Sequence, residues 1–174
     1  SPSAEGKRRK RAGVHKPFLY ILILLLLALA STQLLDVPVG GAGDDRLGAG
    51  TLQIETGDGS HAFKIEMAVT AEERARGLMG RRTMGADEGM LFDYGTEQPV
   101  SFWMKNTYIA LDMLFIRASG EIVHIAKRTI PESLVPVPSP EPVRAVLEVN
   151  AGVTDQLGIV PGDTVVHPIF GNAD

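Results

Sequence analysis

Residues 101–116 constrain the fold most, because this segment mixes costly polar groups into an apolar run that reads SFWMKNTYIALDMLFI. It contains the only tryptophan of the chain, Trp103, and it sets Lys105, Asn106 and Asp112 among apolar neighbours. Burying a charged or amide group is unfavourable unless the group gains hydrogen bonds or a counter-charge. The fold must therefore either supply partners for these side chains or leave them at a binding surface.

The composition excludes several classes of protein. A length of 174 residues fits one domain with additional segments. The absence of cysteine excludes disulfides, cysteine metal ligands, a cysteine nucleophile and a lipid-modified cysteine. From Ser31 onward the chain has 11 Lys and Arg against 20 Asp and Glu, a net charge of −9. Nucleic-acid binding requires a basic surface, so we predict no nucleic-acid partner.

Residues 1–50 have the pattern of an export signal followed by a linker. Six Lys and Arg before residue 17 precede 13 apolar residues that end in Ala28-x-Ala30, the order typical of a signal peptide. The apolar run is short for a membrane span, which needs about 20 residues. We therefore predict a signal peptide over residues 1–30, cleaved after Ala30, with an uncleaved inner-membrane anchor as the alternative. Either would export the remainder, naturally to a bacterial periplasm. Residues 31–50, rich in Gly and Asp, are predicted to be a flexible linker.

Residues 51–171 are predicted to form one domain that begins with a hairpin and a helix. Polar and apolar residues alternate over 51–56 and again over 61–69, and a Gly-Asp-Gly-Ser turn sequence separates the two runs. Thr70-Ala-Glu-Glu73 has the pattern of a capping box. It predicts a helix that begins after Thr70 and ends at Gly80, a residue suited to the left-handed conformation at a helix end.

Short strands fill the rest of this domain. We predict strands at 89–92, 101–107, 111–117, 121–127, 143–150 and 164–168, a proline-rich surface loop at 131–142 and a helical turn at 153–157. This gives about seven or eight short strands with one clear helix. The pattern indicates a mostly β (α+β) domain, in which a small, partly closed barrel or sandwich carries one packed helix.

Several fragments together match a known family: RxxGLM at 74–79, EGMLF at 88–92, FWMKNT at 102–107, LDMLFI at 111–116, VLEVNAG at 146–152 and GD at 162–163. With these fragments the chain resembles the domain-of-unknown-function 192 family, small bacterial and archaeal proteins that are often exported. The resemblance spans roughly residues 52–168. It implies a compact β-rich domain in an exported setting, and it implies no reaction.

Asp112 lies inside an apolar strand and needs a cationic or N–H partner if it is buried. Lys105, Arg74 and Arg81 are the cations available among the motifs. Asp112 is compatible with a ligand-binding or acid–base role. We favour a structural ion pair that fixes the position of the strand, because structural networks also use buried charges.

Glu148 is the second carboxylate in an apolar strand. If the strand alternates strictly, Glu148 shares a face with Arg144, Val146 and Asn150. Glu148 and Asp112 could serve as a general acid–base pair, as in glycoside hydrolysis. A cross-strand ion pair is the simpler interpretation of Glu148, because nothing in the sequence fixes the distance between the two carboxylates.

Lys105 and Asn106 are the best candidates for ligand contacts, since one offers a point charge and the other a donor and an acceptor. Trp103 could stack on a flat ligand, although aromatic residues also fill barrels. Together with Arg74 and Arg81, these residues form a predicted rim for a polar or anionic ligand or for a partner protein.

The sequence predicts no cofactor and no metal site. Six methionines between residues 67 and 113 raise the question of Cu(I), which thioethers bind. Several of these methionines sit in apolar strings, where Met usually fills gaps, and the four histidines are scattered. The chain also lacks the common hydrolase, zinc-protease and nucleotide-binding motifs.

Three functions remain open from the sequence. We favour an exported, non-catalytic binding module for a polar or anionic ligand or an envelope partner, which touches the membrane only through the uncleaved anchor if that anchor exists. The first alternative is a hydrolase-type enzyme that uses Asp112 and Glu148. The second is a structural or assembly module of the cell envelope, acting through its acidic surface and the loop at 131–142.

Overall fold

The computed structural model describes residues 49–173. The predicted signal peptide or anchor at 1–30 lies outside the described residues, as does the predicted linker except for its last two positions. Those two positions already belong to the first strand, which begins at Ala49. Over residues 49–173 no helix combines the length and apolar character that crossing a membrane would require.

Short strands dominate the described part of the chain. In chain order the elements are β1 (Ala49–Thr56), β2 (Gly59–Ala68), α1 (Ala71–Arg76), β3 (Glu88–Gln98), β4 (Ser101–Phe102), β5 (Leu111–Ile116), β6 (Ile122–Ala126), β7 (Val137–Pro138), β8 (Val143–Asn150), α2 (Val153–Gln156), β9 (Thr164–Val166) and a 3-10 helix (Pro168–Phe170). The prediction of a mostly β domain with one packed helix is confirmed.

Seven of the strands form a single curled sheet in the order β6-β5-β8-β3-β2-β1-β9. All neighbours are antiparallel except β2 and β3, which are parallel and are connected through α1. The two edges meet at one end, where Val165 N donates to Gly120 O (2.8 Å) and Ile122 N donates to Asp163 O (2.9 Å). The sheet is therefore a partly closed barrel, as predicted. β4 and β7 pair separately as a short ribbon.

The sheet packs apolar side chains on both faces. The inner core draws on all seven strands and includes Leu52, Ile54, Phe63, Ile65, Leu91, Leu114, Ile116, Ile122, Leu147, Val149 and Val165. The outer core lies on the opposite face and includes Leu78, Met90, Phe92, Met104, Leu111, Met113, Phe115 and Val146. Because both faces of β5 and β8 are covered, these two strands are almost continuously apolar and buried.

The first helix begins as predicted and ends earlier. Thr70 Oγ1 accepts from Glu73 N (3.2 Å), and the Glu73 carboxylate accepts from Thr70 N (2.8 Å), so the capping box is complete. The helix ends at Arg76 rather than at Gly80, since Gly77 takes a φ of 46°. A side chain at Gly77 would lie 3.1 Å from the Phe92 ring, so the chain turns here in close contact with β3.

The predicted strand at 101–107 is also shorter in the structure. Only Ser101 and Phe102 are extended, and the chain then turns so that Thr107 N donates to Met104 O (3.0 Å). The strand is short because Phe102 and Met104 both pack on the outer core. Phe102 packs edge-on to Phe92 with ring centres 5.0 Å apart, and Met104 is fully buried.

Candidate functional site

Asp112 is a fully buried carboxylate whose hydrogen bonds come from the loop after β6 and from the start of α2. One oxygen accepts from Arg128 N (2.8 Å). The other accepts from Gly152 N (3.0 Å), Thr154 N (3.2 Å) and Thr154 Oγ1 (2.6 Å). Among residues 49–173 no ion pair includes Asp112, so its partners are N–H and O–H groups rather than a cation. Asp112 thus ties two loops to β5.

Glu148 is buried in a different way. In β8 it lies directly between Met90 of β3 and Met113 of β5, and it is only 4% exposed. No hydrogen bond or ion pair among the described residues involves its carboxylate, and the expected cross-strand ion pair is absent from this part of the chain. Burial raises the pKa of Glu148 from about 4.5 to about 8, so the carboxyl is protonated at neutral pH.

The two carboxylates lie on opposite faces of the sheet. Asp112 lies on the same face of β5 as Leu114 and Ile116, which belong to the inner core. Glu148 lies between Met90 and Met113, which belong to the outer core. The predicted acid–base pair is therefore wrong, because the strands separate the two groups and no substrate bond can reach both. This placement also removes the hydrolase alternative that depended on the pair.

Arg74 and Arg81 are held by structural contacts. The Arg74 guanidinium donates to the main-chain carbonyl groups of Val69 and Asp93 and lies 4.8 Å from the centre of the Tyr94 ring. Arg81 forms an ion pair with Glu66 (2.5 Å). Arg74 therefore joins α1 to β3, and the charge of Arg81 is partly neutralised by Glu66.

Trp103, Lys105 and Asn106 come together on an exposed turn. Phe102 and Met104 both pack on the outer core, so Trp103 between them faces outward and is half exposed. The ammonium of Lys105 lies 5.1 Å from the centre of the Trp103 ring, a cation–π distance. Asn106 takes a left-handed φ of 55°, and its carbonyl oxygen accepts from Gly80 N (2.9 Å). This contact brings the turn beside the loop that follows α1.

A second cation–π pair extends the same surface. The guanidinium of Arg82, in the loop after α1, lies 4.8 Å from the centre of the exposed Tyr108 ring. Neither Arg82 nor Lys105 has a carboxylate partner among residues 49–173. The turn at 103–108 therefore presents two aromatic rings, each with a cation that no described acidic group neutralises.

A neighbouring loop adds apolar side chains to this surface. Met104 N donates to Ser133 O (2.9 Å) and Glu132 N donates to Thr107 O (3.0 Å), which fixes the loop at 127–136 against the turn. Ile130, Leu134 and Val135 on this loop are 65 to 73% exposed. We use the term loop surface for the following side chains: Arg82, Trp103, Lys105, Tyr108, Ile130, Leu134 and Val135. It holds five of the seven large apolar residues that are exposed within residues 49–173.

The backbone of the loop surface takes uncommon conformations that hydrogen bonds hold in place. Within the described residues, the non-glycine residues with a left-handed φ are Asn106 (55°), Arg128 (51°) and Glu132 (59°), and all three lie in its two loops. Such conformations persist only where surrounding contacts hold them, and they are common at functional sites. Here the hydrogen bonds of Asp112 to Arg128 N, and of Thr129 Oγ1 to Leu111 O (3.0 Å), supply those contacts.

Sequence reasoning found one half of the loop surface and missed the other. It identified Trp103, Lys105 and Asn106, which the structure places on one turn, and it missed Arg82 and the aliphatic residues at 130–135. The usable signal was the sequence IPESLVP, in which aliphatic residues stand among prolines and polar residues with no strand or helix period. A segment without such a period has no apolar face to bury, so its aliphatic side chains are left in contact with solvent.

No obvious metal centre accompanies this surface. Among the described residues no three His, Asp or Glu side chains are grouped as a metal ion would need. Three cavities of about 390 to 520 Å³ are lined mainly by β1, β2 and their neighbours, away from the loop surface. Asn150, from the predicted motif at 146–152, is structural: its side-chain amide donates to the carbonyl groups of Met84 (2.9 Å) and Gly85 (2.8 Å).

Comparison with known proteins agrees with this β-rich architecture. The model of the uncharacterised family DUF192, described as "Uncharacterized ACR", matches residues 52–167. The chain belongs to the DUF192 family. The family resemblance that the sequence motifs predicted is confirmed, and no match was found among curated proteins.

Two solved structures share the DUF192 fold. One is a protein of Sinorhizobium meliloti 1021 that has been suggested to be a transcription regulator; it is 44% identical, with a TM-score of 0.69 over 71% of this chain and 96% of that chain. The other is a protein of unknown function from Novosphingobium aromaticivorans DSM 12444, 38% identical, with a TM-score of 0.68 over 75% of this chain and 89% of that chain. The solved relatives are thus little larger than the described domain.

Proposed function

We propose that this DUF192 protein is an exported, non-catalytic binding module and that its ligand or partner contacts the loop surface. The observation that carries the proposal is the exposure of Trp103, Tyr108 and three aliphatic residues beside two cations without acidic partners in the described chain. Exposed apolar side chains grouped in this way mark interaction sites on soluble domains. Export rests on the sequence of residues 1–30.

The rigid loops support binding rather than a passive structural role. A surface that is already ordered loses less conformational entropy on binding, so its contacts contribute more to affinity. The three left-handed residues and the hydrogen bonds to Asp112 hold the turn at 103–108 and the loop at 127–136 in one arrangement. Maintaining such backbone conformations costs stability, which is expected where a surface has a task beyond folding.

Charge argues against transferring the description of the Sinorhizobium relative to this chain. Residues 49–173 carry 10 Lys and Arg against 16 Asp and Glu, a net charge of −6. Binding to the DNA backbone requires a large basic face, whereas the loop surface offers two cations among aliphatic side chains. We therefore keep nucleic acid out of the proposed partners.

Site-specific photocrosslinking in cells that export the full chain tests the proposal. A photoreactive amino acid replaces Leu134 on the loop surface or, as the matched control, Val160, which is half exposed in the loop before β9. We expect a strong crosslinked product at position 134, to a partner protein or to lipid, and little at position 160. Equal yields at the two positions would show that the loop surface has no specific partner, and the proposal would fail.

A further inference from the structure

We propose that the loop surface docks on a phospholipid bilayer that contains anionic headgroups. This inference rests on the proposed binding function and specifies its partner. It also departs from the sequence-based expectation, which allowed membrane contact only through an uncleaved N-terminal anchor.

The side chains of the loop surface match the layers of a bilayer surface. Ile130, Leu134 and Val135 protrude from a single loop and suit the boundary of the acyl chains. Trp103 and Tyr108 have an apolar ring with a polar edge, and such residues are enriched at the level of the headgroups. Lys105 and Arg82 lie over these two rings and provide the cations that headgroup phosphates attract.

The shape of the loop surface favours a bilayer over a small ligand. Its apolar side chains lie on loops and are 42 to 73% exposed, so much of their surface is in contact with solvent rather than enclosed in a pocket. Small-molecule sites are concave and bury most of the ligand. An exposed set of aliphatic and aromatic side chains instead inserts between headgroups without needing a complementary protein groove.

The overall acidity of the domain is compatible with this orientation. Charges farther than about 8–10 Å from the contact are screened at physiological ionic strength. Near the contact, Lys105 and Arg82 stand against the exposed Glu132, while Lys127 and Arg128 of the same loop are paired with Asp155. Each cation close to an anionic bilayer strengthens partitioning by about fivefold. The aliphatic residues then supply the attraction that a basic patch of this size lacks.

The fluorescence of Trp103 reports directly on docking, because it is the only tryptophan of the chain. The test uses residues 31–174, a length justified by the solved Sinorhizobium relative, whose chain is matched over 96% of its length by this domain. The protein is titrated with vesicles of phosphatidylcholine alone, or with equal amounts of phosphatidylcholine and phosphatidylglycerol. We expect a blue shift of the Trp103 emission, and quenching by brominated acyl chains, only with the anionic vesicles.

Two pairs of variants separate the apolar and the ionic contributions. Leu134→Ser with Val135→Ser should abolish the blue shift, whereas Val160→Ser, at an exposed valine elsewhere, should leave it unchanged. Lys105→Gln should weaken partitioning about fivefold. Lys64→Gln is the control, since Lys64 is exposed on β2 and paired with Asp87 at 2.9 Å, and it should have no effect.

The possible outcomes distinguish this inference from the proposed function. If anionic vesicles leave the Trp103 emission unchanged while position 134 still crosslinks to a protein, the lipid inference fails and the binding module stands. If the emission shifts with protein concentration in the absence of vesicles, the loop surface binds a second copy of the chain and the lipid inference again fails. If neither vesicles nor crosslinking give a signal, both the inference and the proposed function fail.

Discussion

The two buried carboxylates differ in almost everything except their chemistry. Asp112 faces the inner core and accepts four hydrogen bonds, one from the loop after β6 and three from the start of α2. Glu148 faces the outer core between two methionines, has no polar partner among the described residues, and stays protonated because burial raises its pKa to about 8. A carboxyl group in an apolar strand can therefore be satisfied by several hydrogen-bond donors, or be accommodated as a neutral acid.

Both buried carboxyl groups affect the stability of the fold rather than directly the proposed binding function. Asp112 holds the backbone of the loop that carries Ile130, Leu134 and Val135, so its effect on binding is indirect. Glu148 lies beneath the outer core and does not reach the loop surface through any hydrogen bond. The groups that looked most like catalytic residues in the sequence are thus part of the scaffold, and the exposed loops carry the proposed binding site.

Replacement of Asp112 should give the largest effect. Asp112→Ala leaves three N–H groups and the buried Thr154 hydroxyl without an acceptor, and we expect the free energy of unfolding to fall by about 3 kcal/mol or more. Urea denaturation measures it. Asp58→Ala, in the exposed turn between β1 and β2, is the control and should change it by less than about 0.5 kcal/mol. A loss below about 1 kcal/mol for Asp112→Ala would mean that the loops do not depend on this carboxylate.

Replacement of Glu148 should raise the free energy of unfolding at neutral pH, and the size of this increase should depend on pH. The folded state keeps a proton that the unfolded chain releases above about pH 4.5, so stability falls as the pH rises towards 8. Each pKa unit corresponds to about 1.4 kcal/mol. Glu148→Gln, which cannot ionise, should therefore gain about 3 kcal/mol over the wild type on going from pH 4 to pH 7.

Denaturation at several pH values checks this prediction. The change between pH 4 and pH 7 in the difference between variant and wild type is free of the fixed cost of burying a carboxamide. Gln at the exposed Glu55 is the matched control and should change the unfolding free energy little at any pH. A difference between Glu148→Gln and the wild type that stays constant from pH 4 to pH 8 would contradict a protonated Glu148.

Local patterns predicted the elements of this fold well. The hairpin of β1 and β2, the capping box at Thr70 and the strand at 143–150 depend on residues close together in the chain, and each is found as predicted. The relative placement of Asp112 and Glu148 could not be predicted in this way. Alternation assigns each residue to one of two faces of its own strand, but only the pairing of β5 with β8 decides which faces coincide.

The proposed binding site was predictable only in the segment where polar residues interrupt an apolar run. Lys105 and Asn106 were predicted as ligand contacts because they interrupt an apolar segment. The structure places both on the exposed turn. Leu134 and Val135 carried the reverse signal, apolar residues in a proline-rich loop. Their exposure depends on the hydrogen bonds of Ser133 and Glu132 to residues 104 and 107, which are distant in the chain.

Replacement of Thr154 should have a smaller effect, and it measures the contribution of a single hydrogen bond to Asp112. Thr154→Val removes the hydroxyl that donates to Asp112 at 2.6 Å and keeps the shape of the buried side chain. We expect a loss of about 1–2 kcal/mol in the free energy of unfolding, because a buried carboxyl oxygen loses a hydrogen-bond donor. The same substitution in an Asp112→Ala background should cost clearly less. Additive losses would indicate that Thr154 stabilises the fold independently of the carboxylate.

The most direct test of the account compares a surface variant with a core variant by one measurement, the crosslinking yield from position 134 in cells that export the full chain. We predict that Lys105→Gln lowers the crosslinking yield several-fold, because it removes a cation of the loop surface. Glu148→Gln should leave the yield at the wild-type level. The reverse result, a loss with Glu148→Gln and none with Lys105→Gln, would contradict the account and place the function at the buried carboxyl group.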